Sequence, residues 1–114
     1  MLRLQTDTTA YVPGAIVAIA LLNVSDSHLA CNLCAVLERQ STNGWAVVPP
    51  TTSTVPCNLV LHPLAPGERI VAHHTLPSGI APGTYRYRFD LLQGPSGEQL
   101  PLGDRVSNAF DVLP

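Results

Sequence analysis

The sequence predicts an all-β protein, built as a two-sheet antiparallel β-sandwich of about seven strands. Apolar residues recur at a spacing of two, and clusters of Gly, Pro, Asn and Ser interrupt them about every 8 to 12 residues. Eleven prolines and eight glycines leave little room for long helices. A chain of 114 residues has room for one domain, which we place at residues 1–114.

The first three strands are predicted from their turns. The first covers about Leu2 to Thr8, and Pro13-Gly14 then turns the chain into a second from Ala15 to Val24. Both faces of the second strand are apolar, as is typical of a strand in mid-sheet. A third strand is predicted from Leu29 to Arg39. One face of it carries Leu33, Ala35 and Leu37.

A hairpin and an edge crossing follow. Asn43-Gly44 tolerates the positive φ of a tight turn, and Trp45 to Val48 returns as the fourth strand. The prolines between Pro49 and Pro56 disfavour a central strand and predict an edge crossing between sheets. Cys57 to Leu61 resumes an extended course.

The last three strands are predicted at Glu68 to Leu76, Thr84 to Leu92 and Val106 to Val112, with a loop at Gln93 to Gly97. The middle one alternates most clearly, which indicates a half-buried strand with one wet face. Its apolar face carries Tyr85, Tyr87, Phe89 and Leu91, and its polar face carries Arg86, Arg88 and Asp90.

The entry to that strand makes the predicted sandwich immunoglobulin-like. Gly83-Thr84-Tyr85 fits the tyrosine corner, in which a Tyr near the start of strand F hydrogen-bonds to backbone a few residues upstream. Tyr87 stands where an antibody domain has its second core cysteine. An antibody-type disulfide between the sheets is therefore excluded, and the core must rely on packing.

The order of short motifs along nearly the whole chain resembles the bacterial Ig-like domains, which are accessory modules of exported bacterial proteins. A more distant resemblance is to the Ig-like bacterial proteinase inhibitors. The matching motifs are Tyr11-Val12-Pro13-Gly14, Val17 to Leu22 with Asn23 and Ser25, Asn32-Leu33-Cys34, Leu37-Glu38-Arg39, Gly44-Trp45, Cys57, Leu64 with Pro66-Gly67, Leu76-Pro77, Pro82 to Arg86, and Ser107-Asn108 with Phe110.

The resemblance implies a non-catalytic structural or binding module used for adhesion or spacing. It implies a protein or neighbouring-domain partner, without identifying it, and no cofactor. The low content of charged residues, 12%, also suggests that part of the surface packs on a neighbour or forms a weak homo-oligomer. The N-terminus has no pattern typical of a signal peptide.

Three cysteines permit one disulfide and one free thiol. Residues three apart in an extended strand face opposite ways, so Cys31 and Cys34 are poorly placed to pair or to chelate one ion. Cys57, in the irregular edge segment, is then the predicted partner of Cys34, and the resemblance agrees. The disulfide would contribute about 3 to 4 kcal/mol in the chain-entropy model and would predict an extracytoplasmic location.

The histidines do not predict a metal site. Adjacent His73 and His74 face opposite ways in a strand, with His74 on the core side, and a zinc site needs three or four converging ligands. The remaining alternative is a small metal-binding β-sandwich that uses Cys34, Cys57 and a histidine.

Several function classes are disfavoured by composition. No nucleophile elbow, zinc-protease motif or phosphate-binding glycine loop is present, so we expect no enzyme activity. A net charge of −2 without a basic stripe argues against nucleic acid. The longest apolar run, Ala15 to Leu22, is too short to span a membrane as a helix. Of the aromatic residues, only Trp45 and Tyr11 are expected near the surface, which is few for a carbohydrate-binding platform. Trp45 is expected to cover the end of the sandwich.

Two surfaces remain as candidates for binding. Arg86 and Arg88 on the wet face, beside Glu38 and Arg39 of the neighbouring strand, would form cross-strand ion pairs or a docking face. A proteinase inhibitor is the alternative, with its exposed loop at Pro49 to Pro56 or Gln93 to Leu102.

Overall fold

The computed structural model describes residues 1–49 and 60–114. They form eleven β-strands and one short 3₁₀ helix, with no α-helix among them, so the all-β prediction is confirmed. None of the helices in these two ranges could span a membrane. The elements are β1 (Leu2–Thr6), β2 (Ala10–Tyr11), β3 (Ile16–Asn23), β4 (Leu29–Cys31), β5 (Ala35–Ser41), β6 (Gly44–Val47), β7 (His62–Leu64), β8 (Arg69–Thr75), β9 (Gly83–Phe89), β10 (Leu92–Gln93), the 3₁₀ helix (Leu102–Asp104) and β11 (Phe110–Val112).

The strands form three sheets. Sheet I has the order β1-β3-β8, sheet II the order β2-β11-β9-β5-β6, and sheet III the order β10-β4-β7. All neighbours are antiparallel except β2 and β11, which run parallel. The described residues thus contain more and shorter strands than the seven predicted.

Sheet I follows the predicted pattern closely. β3 lies between β1 and β8, which confirms its prediction as a mid-sheet strand. Val17, Ile19 and Leu21 are fully buried, while the residues between them are only half-buried. Burying an aliphatic side chain of this size contributes about 1.5 to 3 kcal/mol to the free energy of unfolding, so these three residues on one face of β3 stabilise the core substantially.

The core lies between sheets I and II. Tyr85, Tyr87 and Phe89 of β9 are buried in alternation, as predicted. His74 of β8 reaches them from sheet I, with its ring centroid 5.1 Å from that of Tyr87. Phe110 of β11 stacks on Tyr87 at 5.8 Å within sheet II, so the ring of His74 ties sheet I to an aromatic cluster of sheet II.

The predicted third strand, Leu29 to Arg39, is broken in two. Between the pairs Cys31↔Leu92 and Ala35↔Phe89, the first strand has three intervening residues and the second only two. One extra residue therefore bulges from the first strand, and the ladder continues on its other side with a shifted register. This is why Leu92 is buried and Leu91 only half-buried, whereas alternation predicted Leu91 on the apolar face.

Asn32 accounts for the bulge. Its side-chain oxygen accepts the backbone N–H of Cys34 at 2.9 Å, and its amide donates to the carbonyl of Val60 at 2.9 Å. Its own backbone N–H donates to Leu91 O at 2.9 Å. A short Asn side chain that bonds the backbone two residues on competes with the ladder, which explains why the strand stops here.

Other predicted bounds change in smaller ways. The hairpin loop is Thr42-Asn43, since Ser41 pairs with Gly44, and only Gly44 of these residues has a positive φ. The last strand begins at Phe110 rather than at Val106. The predicted crossing between Pro49 and Pro56, and most of the segment from Cys57, lie outside the described residues.

The first and last residues of the chain lie at opposite ends of β3. Met1 accepts the N–H of Val24, just beyond the end of β3, while Leu113 donates to Tyr11 O, beside the turn that precedes β3. The eight residues of β3 span seven steps, or about 24 Å at ~3.4 Å per residue. The chain therefore enters at one end of the molecule and leaves at the other.

Candidate functional site

Tyr85 has the geometry of a tyrosine corner. Its hydroxyl donates to the backbone carbonyl of Ala81, four residues upstream, at 2.7 Å. The Tyr85 side chain is buried near the start of β9, two residues after Gly83. The bond therefore fixes the path of the turn that leads into the central strand of sheet II.

The outer face of sheet II carries a network of ion pairs. Glu38 of β5 accepts from Arg86 Nε at 2.7 Å and from Arg88 Nη1 at 2.6 Å. The Glu38 side chain is only 5% exposed, and those of the two arginines are 16% and 25% exposed. Cross-strand alternation places the three residues together, because Glu38 is directly opposite Arg86.

The network extends in both directions from Glu38. Arg88 and Arg105 both pair with Asp90, and the hydrogen bond from Arg88 is the main cause that lowers the pKa of Asp90. At the other end, the guanidinium of Arg86 lies over the ring of Trp45 at 4.3 Å. No local sequence pattern pointed to Arg105, which the 3₁₀ helix brings to Asp90. Each charge of this network has an ion-pair partner, so we interpret the network as structural.

Arg39 does not lie on that face. It follows Glu38 in β5 and so points to the opposite side of sheet II, where its guanidinium carbon is 5.8 Å from the ring centroid of Tyr85. Arg39 Nη2 donates to the carbonyl of Pro82 at 3.0 Å. The predicted docking face of four residues is therefore split between two surfaces, because alternation separates neighbours along a strand.

Arg39 instead lines a cleft of about 910 Å³ between the ends of the two sheets. One wall is formed by the end of the β5–β6 hairpin, and the other by the turn between β8 and β9. The apolar residues that line the two walls include Ala46, Val48, Leu76, Pro77 and Ile80. Sequence patterns did not identify this cleft, since its walls come from segments far apart in the chain.

The histidines lie as predicted, with His74 half-buried on the core side and His73 exposed. His74 Nε2 donates to the carbonyl of Leu33 at 2.9 Å, since a carbonyl can only accept. Burial lowers the pKa of His74, which stabilises its neutral form. Among the residues that the structure describes, no three His, Cys, Asp or Glu side chains converge on one point.

The cysteines are described in part. Cys31 is a buried free thiol, and burial raises its pKa to about 11. A thiol of this kind is an inert core residue rather than a nucleophile. Cys57 lies outside the described residues, so its predicted disulfide with Cys34, and the metal site that would use both, stay predictions.

Two further predicted features can be located. Tyr11 is not a surface aromatic: it is buried, and its ring packs edge-on against Phe110 at 5.2 Å. Trp45 is half-buried. The predicted loop from Gln93 to Leu102 has an exposed tip at residues 95–99, where Gly94 and Glu98 are joined by a backbone hydrogen bond of 2.8 Å.

Comparisons with known proteins find distant structural similarity but no family. No protein-family model matches the chain, and no curated protein matches it. Among solved structures, the chain is similar to Pseudomonas fluorescens alkylpurine DNA glycosylase AlkC bound to DNA containing an abasic site analog, with 12% sequence identity and a TM-score of 0.46. The match covers 99% of this chain and 30% of the glycosylase chain. A similarity at this level carries no functional conclusion.

Proposed function

We propose that this protein is a non-catalytic immunoglobulin-like module that serves as an accessory, adhesion or spacer domain of an exported bacterial protein. The strand order supports this fold. Sheet I corresponds to strands A, B and E of an immunoglobulin domain, and β11-β9-β5 of sheet II to strands G, F and C. The hydrogen bond of Tyr85 then lies at the start of strand F, as a tyrosine corner does.

The observation that carries the spacer role is the position of the chain ends. Because Met1 and Leu113 lie at opposite ends of β3, domains joined before and after this one would follow each other in series. A module with adjacent ends would bring its neighbours side by side instead. The paired charges on the outer face of sheet II support a structural role for that face as well.

The spacer role is tested by fusing a donor and an acceptor fluorescent domain to the two ends of the full chain. We expect low and uniform energy transfer in the folded protein, and a broader distribution after unfolding in urea. High transfer in the folded protein would mean that the ends are close together, and the spacer proposal would be wrong.

The exported location is tested by counting thiols in unfolded protein, with and without reductant, alongside metal analysis. The predicted disulfide between Cys34 and Cys57 gives one free thiol, from Cys31, and three after reduction. Three free thiols without reductant would remove the argument for an oxidising compartment, and three thiols with stoichiometric zinc or copper would favour the metal-binding alternative.

The exposed and hydrogen-bonded loop tip at residues 95–99 supports the alternative that the protein is a proteinase inhibitor. A loop held in one conformation binds with a smaller loss of conformational entropy. Assays of a small protease panel distinguish the two functions, since the spacer proposal predicts no inhibition by folded protein at micromolar concentration.

A further inference from the structure

The cleft between the ends of sheets I and II lies apart from the ion-pair network, and we infer that it is a docking groove for an extended peptide segment of a partner protein. The segment would place apolar side chains between the walls and one Asp or Glu carboxylate against Arg39. This inference rests on the proposed function, because it identifies the surface through which the module would bind.

Arg39 has no carboxylate partner in its own chain. Residues 50–59, which the structure does not describe, contain no Asp or Glu, so every acidic side chain lies among the described residues. The ion pairs of those residues involve Arg86, Arg88 and Arg105 but not Arg39. The cation of the cleft is therefore available to an external anion.

Contacts on two sides hold Arg39 in one orientation. Pro82 O accepts from Nη2, and the ring of Tyr85 lies beside the guanidinium. Gly83 lets the side chain pass closely, since a Cβ there would come within 3.0 Å of Arg39 Nε. Nη2 keeps a second N–H, and among the described residues Nε and Nη1 have no hydrogen-bond acceptor, so one two-donor fork that includes Nη2 remains for a carboxylate.

The walls of the cleft are largely apolar. Val48, Pro77 and Ile80 on these walls are half-buried, so part of their apolar surface faces water. An apolar segment would remove this surface from water, at about 25 cal/mol per Å². A ligand that satisfies both the walls and Arg39 is therefore apolar with one negative charge.

The cleft is bordered by a sheet edge. β6 is the last strand of sheet II in the part of the chain that is described, and Ala46 of β6 lies opposite Arg39 and lines the cleft. An extended segment can add to such an edge through its backbone, while alternate side chains enter the cleft. This edge favours a peptide over a compact carboxylate, which has no backbone to pair with it. It also favours a peptide over an anionic membrane, which a single arginine would attract only weakly.

The experiment selects peptides from a library of random dodecapeptides displayed on phage, with the full folded chain as bait. We expect enrichment of sequences with one Asp or Glu flanked by apolar residues. The best peptide, made synthetically, should shift the NMR signals of Val48, Leu76 and Ile80, and its affinity should fall at least tenfold when its acid is replaced by the amide.

Variants of the protein make the test specific. Arg39→Gln should weaken the peptide at least tenfold, and Arg39→Lys, which keeps the charge but loses the fork, should weaken it less. Arg69→Gln is the matched control, because Arg69 is also exposed and without an ion pair among the described residues but does not line the cleft. Circular dichroism checks that each variant is folded.

Several results would overturn the inference. These are no enrichment, enriched peptides without an acidic residue, equal binding by Arg39→Gln, or NMR shifts confined to the network around Glu38. A wild-type dimer that Arg39→Gln dissociates would identify a second copy as the occupant, and NMR contacts from residues 50–59 to Leu76 and Ile80 would identify an intramolecular one. None of these results changes the thiol count or the energy transfer, so the module proposal would stand or fall separately.

Discussion

Replacing Glu38 by Gln tests whether the ion-pair network on sheet II stabilises the fold. The variant keeps the size of the side chain and removes its charge, so both bonds from Arg86 and Arg88 lose their charge assistance. A hydrogen bond to a charged group contributes about 1.5 to 3 kcal/mol, against about 0.5 to 1.5 for a neutral one. The side-chain amide of the variant would also have only one acceptor oxygen for the two arginines, where the carboxylate of Glu38 has two.

The magnitude follows from the burial of the three side chains. Glu38 is 5% exposed and regains little hydration in the variant, whereas the arginines at 16% and 25% regain some. We therefore expect a loss of about 3 kcal/mol, at the lower end of the 3–5 kcal/mol for breaking a buried pair. With an entropy of unfolding of roughly 0.24 kcal/mol/K for 114 residues, the Tm should fall by about 12 °C.

The assay is urea unfolding at pH 7, followed by the fluorescence of Trp45, with thermal unfolding by circular dichroism. Asp90→Asn is the matched control: Asp90 also binds two arginines, but its side chain is 56% exposed, so its loss should cost under about 1 kcal/mol. If Glu38→Gln destabilises no more than Asp90→Asn does, the reasoning from burial is wrong.

Three further predictions concern single residues. Burial lowers the pKa of His74 in the folded state, so the contribution of neutral His74 to stability is present above the unfolded pKa of about 6.5 and is lost as pH falls. The free energy of unfolding should therefore drop on acidification in wild type and in the control His73→Gln, but less in His74→Gln. Gly67→Ala should cost about 1 kcal/mol in urea unfolding because Gly67 has a φ of 79°, whereas Gly103→Ala, with equal space and no positive φ, should be nearly neutral, and equal costs would contradict this. Tyr85→Phe should lower stability by about 1 to 2 kcal/mol through the lost bond to backbone, and an unchanged Tm would contradict that role.

Sequence patterns predicted the strands whose faces differ clearly in polarity. In β9, aromatic and charged residues alternate, and burial of Tyr85, Tyr87 and Phe89 follows that alternation. The apolar run of β3 likewise predicted a central strand. In both cases the chemistry of the side chains determines the face, so local information is sufficient.

The patterns failed where one polar side chain redirects the backbone. Asn32 interrupts a stretch that is otherwise apolar, and its bond to the N–H of Cys34 inserts a residue into the ladder. An Asn flanked by strand-forming residues was the available signal, but its effect on Leu91 and Leu92 depends on the opposing strand.

The candidate cleft could not be predicted from local patterns for a related reason. Arg39 was placed with Glu38 because the two are adjacent and charged, yet adjacent residues of a strand face opposite sides. Its neighbours Leu76 and Ile80 come from a turn about 40 residues away in the chain, so only the packing of the sheets assembles the walls.

The parallel pairing of β2 with β11 has a mechanical consequence. Tension applied through Met1 and Pro114 would pull β1 and β11 in opposite directions along their own axes, past the strands on which they lie. The hydrogen bonds of both strands are perpendicular to that pull, so they share the force and must break together. Pulling from the two strands of the β5–β6 hairpin would instead open its bonds one after another. The fold should therefore resist stretching along the direction of its chain ends far better than across it.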